Sequence, residues 1–305
     1  MISKTPALKG YLAIVLVFVG IVVASALFVQ SKGLTATYTP KVLRIGLLPD
    51  ESEASIRARV SPLLDYLSDE TDLDVELILP ESYDALVRGV ANDEMDIAYF
   101  GGLTFVQSHN LHDVEPLVMR DVDTYFTSYF FTHHDADGSD IKAFQNKAIS
   151  FGSRLSTSGH LMPRHFLDSE HKIYPEDFFS EVHYSGAHDK TVYWVRDKKV
   201  DLGVANSEII RRMKADGRLN ENDIRIIWVS PPYHDYVWGV NQRLDLQLKR
   251  QLRDAFLGLD SARSEHEIIL GKLGAGSFLP AGVEDYDDLY AIAKKLNVLE
   301  IVPHE

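Results

Sequence analysis

The 305-residue chain contains no cysteine. That excludes disulfides, zinc–thiolate sites, a cysteine nucleophile and a lipid-modified cysteine. Basic residues are scarce as well: 31 Lys and Arg stand against 45 Asp and Glu, for a net charge of −14. A nucleic-acid partner needs basic patches, so none is expected. An anion bound by such a chain must be held by local dipoles and hydroxyls rather than by the global field. The chemistry-bearing motifs are missing too. The 12 histidines form no H-E-x-x-H pattern or tight ligand cluster, and there is no G-x-S-x-G elbow. Gly271-Lys272-Leu273-Gly274-Ala275-Gly276 is glycine-rich but follows a helical stretch, whereas a phosphate-cradling loop follows a strand. No metal, cofactor or catalytic residue is therefore expected, and the chain does not read as an enzyme.

What is present is globular: 45% apolar and 25% charged residues, with length for about two domains. Lys4 and Lys9 precede an uncharged run from Tyr11 to Val29. It reads either as a signal peptide cleaved at Ala24-Ser25-Ala26 or as an anchor of roughly 20 residues. In both readings the lysines stay cytoplasmic and the bulk of the chain is exported. The expected location is thus the periplasm or the outer face of the cytoplasmic membrane. Residues 31–41 read as a polar tether.

From Val42 onward, strand and helix patterns alternate, which predicts parallel sheets covered on both faces. Strands are expected at Val42–Pro49, Val75–Leu79 and Met95–Phe100, with helices over Glu51–Thr71 and from Ser82. Further strands are expected at Tyr125–Phe131, Ala148–Phe151, Asp201–Val204, Ile224–Val229 and Val237–Val240. Helices close the chain near Asp245–Leu259, Ser264–Leu273 and Asp285–Leu296.

Ser156-Thr157-Ser158-Gly159 lies between the strand Lys147–Phe151 and a helix beginning near His160, with Pro163 tolerated only in a first turn. Three hydroxyls at a helix N-terminus suit a tetrahedral oxyanion. An ordinary Ser/Thr cap has the same pattern.

This loop does not stand alone. Asp96-Ile97-Ala98-Tyr99-Phe100-Gly101, then the Ser156 loop, Ser185-Gly186-Ala187-His188-Asp189, Val200–Glu208 and Ser230-Pro231-Pro232 occur in one order. The chain thereby resembles the phosphonate/phosphite-binding substrate-binding proteins of ABC transporters over nearly all of residues 42–290. The resemblance implies an α/β, two-lobe type II periplasmic-binding protein fold with two hinge strands, preceded by one N-terminal apolar helix. Residues 1–30 would be signal or anchor, 31–41 tether, 42–127 plus 238–305 lobe I, and 128–237 lobe II. The hinge strands are expected near Tyr125–Phe131 and Tyr236–Val240, with the lobes closing on a ligand between them.

The implied function is a monomeric extracytoplasmic receptor that delivers a phosphonate, phosphite or related oxyanion to an ABC permease. A membrane-tethered anion sensor reporting to a signalling partner is the alternative. By the resemblance, Ser156, Thr157 and Ser158 match the loop that holds phosphonate oxygens, and His188 a histidine contacting the same group. Tyr83, Tyr99 and Tyr125 are expected to line the cleft. Glu208 and Asp235 match acids that hold the ammonium of aminoalkylphosphonates, so such a ligand is expected to be preferred over an alkylphosphonate. The chain departs from the family in having Gly101-Gly102 where Gly-Pro or Gly-Asn is commoner, and in a slightly shorter Tyr233–Tyr236 loop.

Overall fold

The computed structural model describes residues 37–300. The apolar run Tyr11–Val29 and most of the tether lie outside the described residues. Among those described, no helix is long and apolar enough to cross a membrane.

β1 (Val42–Leu47) leads into α1 (Glu53–Thr71), β2 (Asp74–Ile78), α2 (Tyr83–Ala91), β3 (Ile97–Phe100), α3 (Gly102–His112) and β4 (Glu115–Arg120). The apolar stripe of α1 is buried at Ile56, Val60, Leu63 and Leu67. Ser52 and Ser82 cap α1 and α2, their hydroxyls accepting from the N–H groups of Ser55 and Ala85 at 3.4 Å. After a 3-10 turn come β5 (Ser128–His133), β6 (Ala148–Phe151), α4 (Met162–Ser169), β7 (Glu181–Tyr184), α5 (His188–Arg196), β8 (Leu202–Asn206), α6 (Ser207–Ala215) and β9 (Ile224–Val229). The chain closes with β10 (Val237–Val240), α7 (Leu246–Leu257), α8 (Ser264–Leu273), β11 (Phe278–Pro280) and α9 (Asp287–Lys295). The glycine-rich stretch is the stop of α8. Gly274 adopts a left-handed φ of 65°, and Ala275 N–H donates to Leu270 O at 2.9 Å.

The strands form two sheets, ordered β11-β4-β10-β3-β1-β2 and β7-β6-β8-β5-β9. β1 pairs in parallel with β2 and β3, and β6 with β7 and β8. The strands that enter each sheet from the other run against that direction. β10 is antiparallel to β3 and β4, and β5 to β8 and β9. Each sheet with its helices is a lobe, the first built on β1–β4, β10 and β11 and the second on β5–β9. The second lobe's core has two faces. Phe130, Phe151, Leu202 and Val204 pack on one side of the sheet, and Phe131, Val192, Ala205 and Ile209 on the other. Neighbours in sequence thus face opposite layers, as the two-residue period of a strand requires.

The chain passes between sheets at Phe126–Thr127 and again over residues 230–236. Phe126 and Tyr233 pair there, with N–H···O bonds of 2.9 and 3.0 Å. The crossings lie at or before the start of the expected hinge strands rather than along them, because Ser128–His133 belongs to β5 and Val237–Val240 to β10. The reason is backbone satisfaction: buried, aromatic β5 has its peptide groups paired with β8 and β9, leaving only the residues before it to cross.

The lobes also meet through charges beside the crossings. Glu51, buried just after β1, accepts from Arg212 Nη2 at 2.5 Å and from Arg218 Nη2 at 3.3 Å, both arginines belonging to the second lobe. Arg59 of the first lobe lies 3.9 Å from the same carboxylate. Burial pushes Glu51 up, but Arg212, Arg59 and Arg218 outweigh it and hold the carboxyl below its ordinary range. Glu51→Gln leaves those guanidinium groups to repel one another across the cleft. Arg212 and Arg218 are 20% and 24% exposed, so the loss is expected at the low end for a broken buried pair, on the order of 1–3 kcal/mol. Small-angle scattering should show a larger radius of gyration for Glu51→Gln than for the parent. An unchanged radius would mean that other contacts hold the lobes together.

Candidate ligand-binding site

The site is built where two helix N-termini from different lobes face each other. In the second lobe the chain leaves β6 and winds a single wide turn, Thr157–Leu161, that runs directly into α4. Ser156 caps it, its Oγ accepting from Gly159 N–H at 2.9 Å. Ser156, Thr157 and Ser158 are all buried. Gly159 must be glycine, since a Cβ there would lie 2.9 Å from both His188 Cε1 and Ser156 Oγ. In the first lobe α3 begins at Gly102 with no side-chain cap from Gly101. Its first N–H groups are met from outside the helix: Leu103 N–H donates to Thr157 Oγ1 at 2.9 Å, and Gly102 N–H to Asp235 Oδ1 at 3.0 Å. A Cβ at Gly101 would lie 3.3 Å from Thr157 Oγ1, so the paired glycines allow this approach.

His188 starts α5 and is fully buried. Its Nδ1 accepts the Asn206 N–H at 3.2 Å, which fixes the neutral tautomer with the proton on Nε2. That Nε2–H points at Ser156 Oγ, 3.3 Å away. Burial pulls the imidazole down to about 4, so near neutrality it is an uncharged donor. Among the described residues, no hydrogen bond of Ser156, Thr157 or Ser158 goes to a cation. Hydroxyls, an imidazole and two helix dipoles of this kind can hold an anion by neutral donors.

An aromatic wall closes one side. Tyr99 stacks on Tyr236 with ring centres 5.0 Å apart and packs against Trp238 at 4.9 Å. Its buried hydroxyl has no hydrogen-bond partner among the described residues. Arg120 holds both tyrosine rings from behind, 5.7 and 5.6 Å from their centres, while Asp123 takes its charge through bonds of 2.6 and 2.8 Å. Tyr236 Oη donates to Asp50 Oδ2 and accepts from Asn206 Nδ2, each at 3.0 Å. Tyr83 is buried at the start of α2.

Three expectations change on this geometry. Tyr125 does not join the cluster: it is 78% exposed, on an outer groove with His165, Pro232 and Asp288. It ends the 3-10 turn before the crossing, where the chain has not yet entered a sheet. Glu208 lies in the first turn of α6 and is ion-paired with Arg211 of its own helix. Asp235 is buried beside Thr157 and Ser158, not beside Glu208, because Asp235 N–H donates to Asp123 O and turns the loop inward. The two acids share no partner, so the convergent carboxylates expected to favour an aminoalkylphosphonate are not brought together. Asp50, Asn206, Tyr236 and the α3 N-terminus were not among the expected residues. Asp50 and Asn206 do sit at carboxyl ends of parallel strands, where α/β sheets place their ligands.

The family model of the ABC transporter, phosphonate, periplasmic substrate-binding protein matches residues 45–286. The chain belongs to that family. A relative from Prochlorococcus marinus, the probable ABC transporter phosphite binding protein PhnD1, is 29% identical over 270 residues, covering 85% of this chain and 91% of that one. The solved structure of PhnD1 from this organism in complex with methylphosphonate superposes with a TM-score of 0.80 at 28% identity, over 85% of this chain and 100% of that one. The phosphate-import protein PhnD of Mycolicibacterium smegmatis is 25% identical over 234 residues, 73% of each protein.

Asp235 is a buried carboxyl beside the donors of this site. Burial pushes its carboxyl up to about 7, and Asp123 pushes the same way, against the Gly102 N–H and the Thr157 and Ser158 hydroxyls. The native state therefore keeps a proton that the unfolded chain has already lost. Stability falls as pH rises from the ordinary carboxylate range to about 7. Asp235→Asn keeps the oxygen that accepts from Gly102 and removes the titration. At about 1.4 kcal/mol per pKa unit the gain is a few kcal/mol. The variant should melt above the parent at pH about 8, with the difference closing toward pH about 4. A difference independent of pH would show that this carboxyl is not titrating in that window.

Proposed function

We propose that the protein is a receptor outside the cytoplasmic membrane that binds a small tetrahedral oxyanion of the phosphonate, phosphite or phosphate class and hands it to an ABC permease. The observation that carries this reading is the facing of two helix N-termini, α3 from one lobe and the Ser156-Thr157-Ser158 turn from the other, bridged by Thr157 Oγ1. A site divided between lobes couples binding to their closure. Residues 42–127 with 238–305 would move as one lobe and 128–237 as the other, about Phe126–Thr127 and residues 230–236. The proposed contacts are Ser156, Thr157, Ser158 and His188, with Tyr99 and Tyr83 walling the cleft and Asp235 at the seat. The names of the relatives support transport over signalling or enzymatic activity. We read the receptor as a monomer whose site lies between the two lobes of one chain.

A hydrogen bond to a charged group contributes roughly 1.5–3 kcal/mol. Thr157→Val and Ser158→Ala each remove one hydroxyl donor, so each should weaken methylphosphonate or phosphite binding about tenfold or more, at ~1.4 kcal/mol per decade. Titration calorimetry on the folded variants measures this. Parent-like affinity in both would reduce the loop to a helix cap.

A further inference from the structure

A carboxyl group lies among the donors of the proposed anion seat. Asp235 is buried, with Oδ1 held by Gly102 N–H and Oδ2 without a hydrogen-bond partner. The Thr157 and Ser158 hydroxyls lie against the same carboxyl group. An oxyanion seated on those hydroxyls meets Asp235 at close range, and two bare anions there would repel one another with little solvent to screen them. One proton between them turns that repulsion into a short, charge-assisted O–H···O bond. We propose that Asp235 shares a single proton with the bound ligand, so that above neutrality the site selects oxyanions that bring an ionisable proton over those that bring none. Hydrogen phosphonates, hydrogen phosphite and hydrogen phosphate belong to the first class, sulfate and sulfonates to the second. This rests on the oxyanion reading of the Ser156–Ser158 loop and adds the protonation state of what binds.

The surroundings assign the proton to Asp235. Asp123, in the 3-10 turn before the first crossing, faces it, but its carboxylate is bonded to Arg120 at two points. Tyr233 and Tyr236 flank it on its own loop, and Tyr286 approaches from the turn before α9; burial raises all three well above their ordinary range, so they stay neutral. His234, the preceding residue, lies toward Tyr286, with ring centres 6.3 Å apart. His188 bonds to Ser156 rather than to Asp235, and at about 4 it has lost its charge well below neutrality. Asp235 itself, at about 7, is poised where one proton can be taken up on binding.

The sign follows from linkage. Above the pKa of both Asp235 and the free ligand, each binding event takes one proton from solution, and affinity falls about tenfold per pH unit. Sulfate brings no proton, so its binding near pH 8 must load one onto the protein. Asp235→Asn puts a permanent amide donor in place of Oδ2 and keeps the acceptor for Gly102.

Calorimetry with methylphosphonate, phosphite and sulfate, from pH about 6 to about 9, tests this. Two buffers of different ionisation enthalpy count the protons. The parent should prefer methylphosphonate to sulfate and lose affinity for it with rising pH, and sulfate binding should take up close to one proton near pH 8. In Asp235→Asn the pH slope should flatten, and the preference over sulfate should shrink about tenfold or more. An unchanged slope in the variant would overturn the proposal. So would parent binding of sulfate with no proton uptake, an outcome that does not depend on the variant folding. If no oxyanion binds the parent at any pH, the anion-seat reading falls and this proposal with it. Binding without the proton signature would sink the proposal alone.

Discussion

The bond from Leu103 N–H to Thr157 Oγ1 joins the two lobes at the point where both of their site helices begin. The rest of the site is arranged so that this contact can exist. α3 has no side-chain cap, and its opening glycines leave room for a group from the other lobe. Gly159 lets Ser156 and His188 close together beneath the turn. A cap supplied by α3 itself would satisfy the same N–H groups locally and remove the reason for the lobes to meet there.

The anion seat proposed for this negatively charged chain would have to work without cations, because the arginines near it are committed elsewhere. Arg120 is buried at the site's edge, but Asp123 and the Leu273 carbonyl take its donors and leave its face to the tyrosine rings. Arg59, Arg212 and Arg218 are spent on Asp50 and Glu51 at the lobe contact. What remains for a ligand is neutral donors. Each helix terminus presents the equivalent of roughly half a positive charge. Two such termini and several hydroxyls can hold one anion without the desolvation cost of a buried cation. Asp235 is the exception: burial raises its carboxyl, and the nearby Asp123 pushes the same way.

Much of this was legible along the chain. Alternating strand and helix patterns identify two parallel-sheet units, because the periods of 2 and 3.6 are local properties. The Ser156–Gly159 turn was recognisable as a helix start with three hydroxyls, and the order of five motifs pointed to the family. Other features were not local. The α3 helix directly after Gly101 was missed, since every face of Gly102–Ser108 is buried and no amphipathic period marks it. Tyr125 and Asp235 were both expected in the cleft, yet one side chain faces solvent and the other is enclosed.

The sequence by itself therefore determined the elements and the donor loop, through periodicity and helix-start chemistry that act within a few residues. Only the tertiary structure decided which groups meet. Asp235 N–H bonds to Asp123 O and its carboxyl lies beside the start of α3 with Thr157, whereas Glu208 pairs with Arg211 of its own helix. Glu51 becomes a tie between lobes only because α6, at the far side of the cleft, brings Arg212 beside it. The bonds from Gly102 to Asp235 and from Arg212 to Glu51 join residues more than a hundred positions apart. Their geometry is set by how two sheets are hinged, which no local pattern encodes.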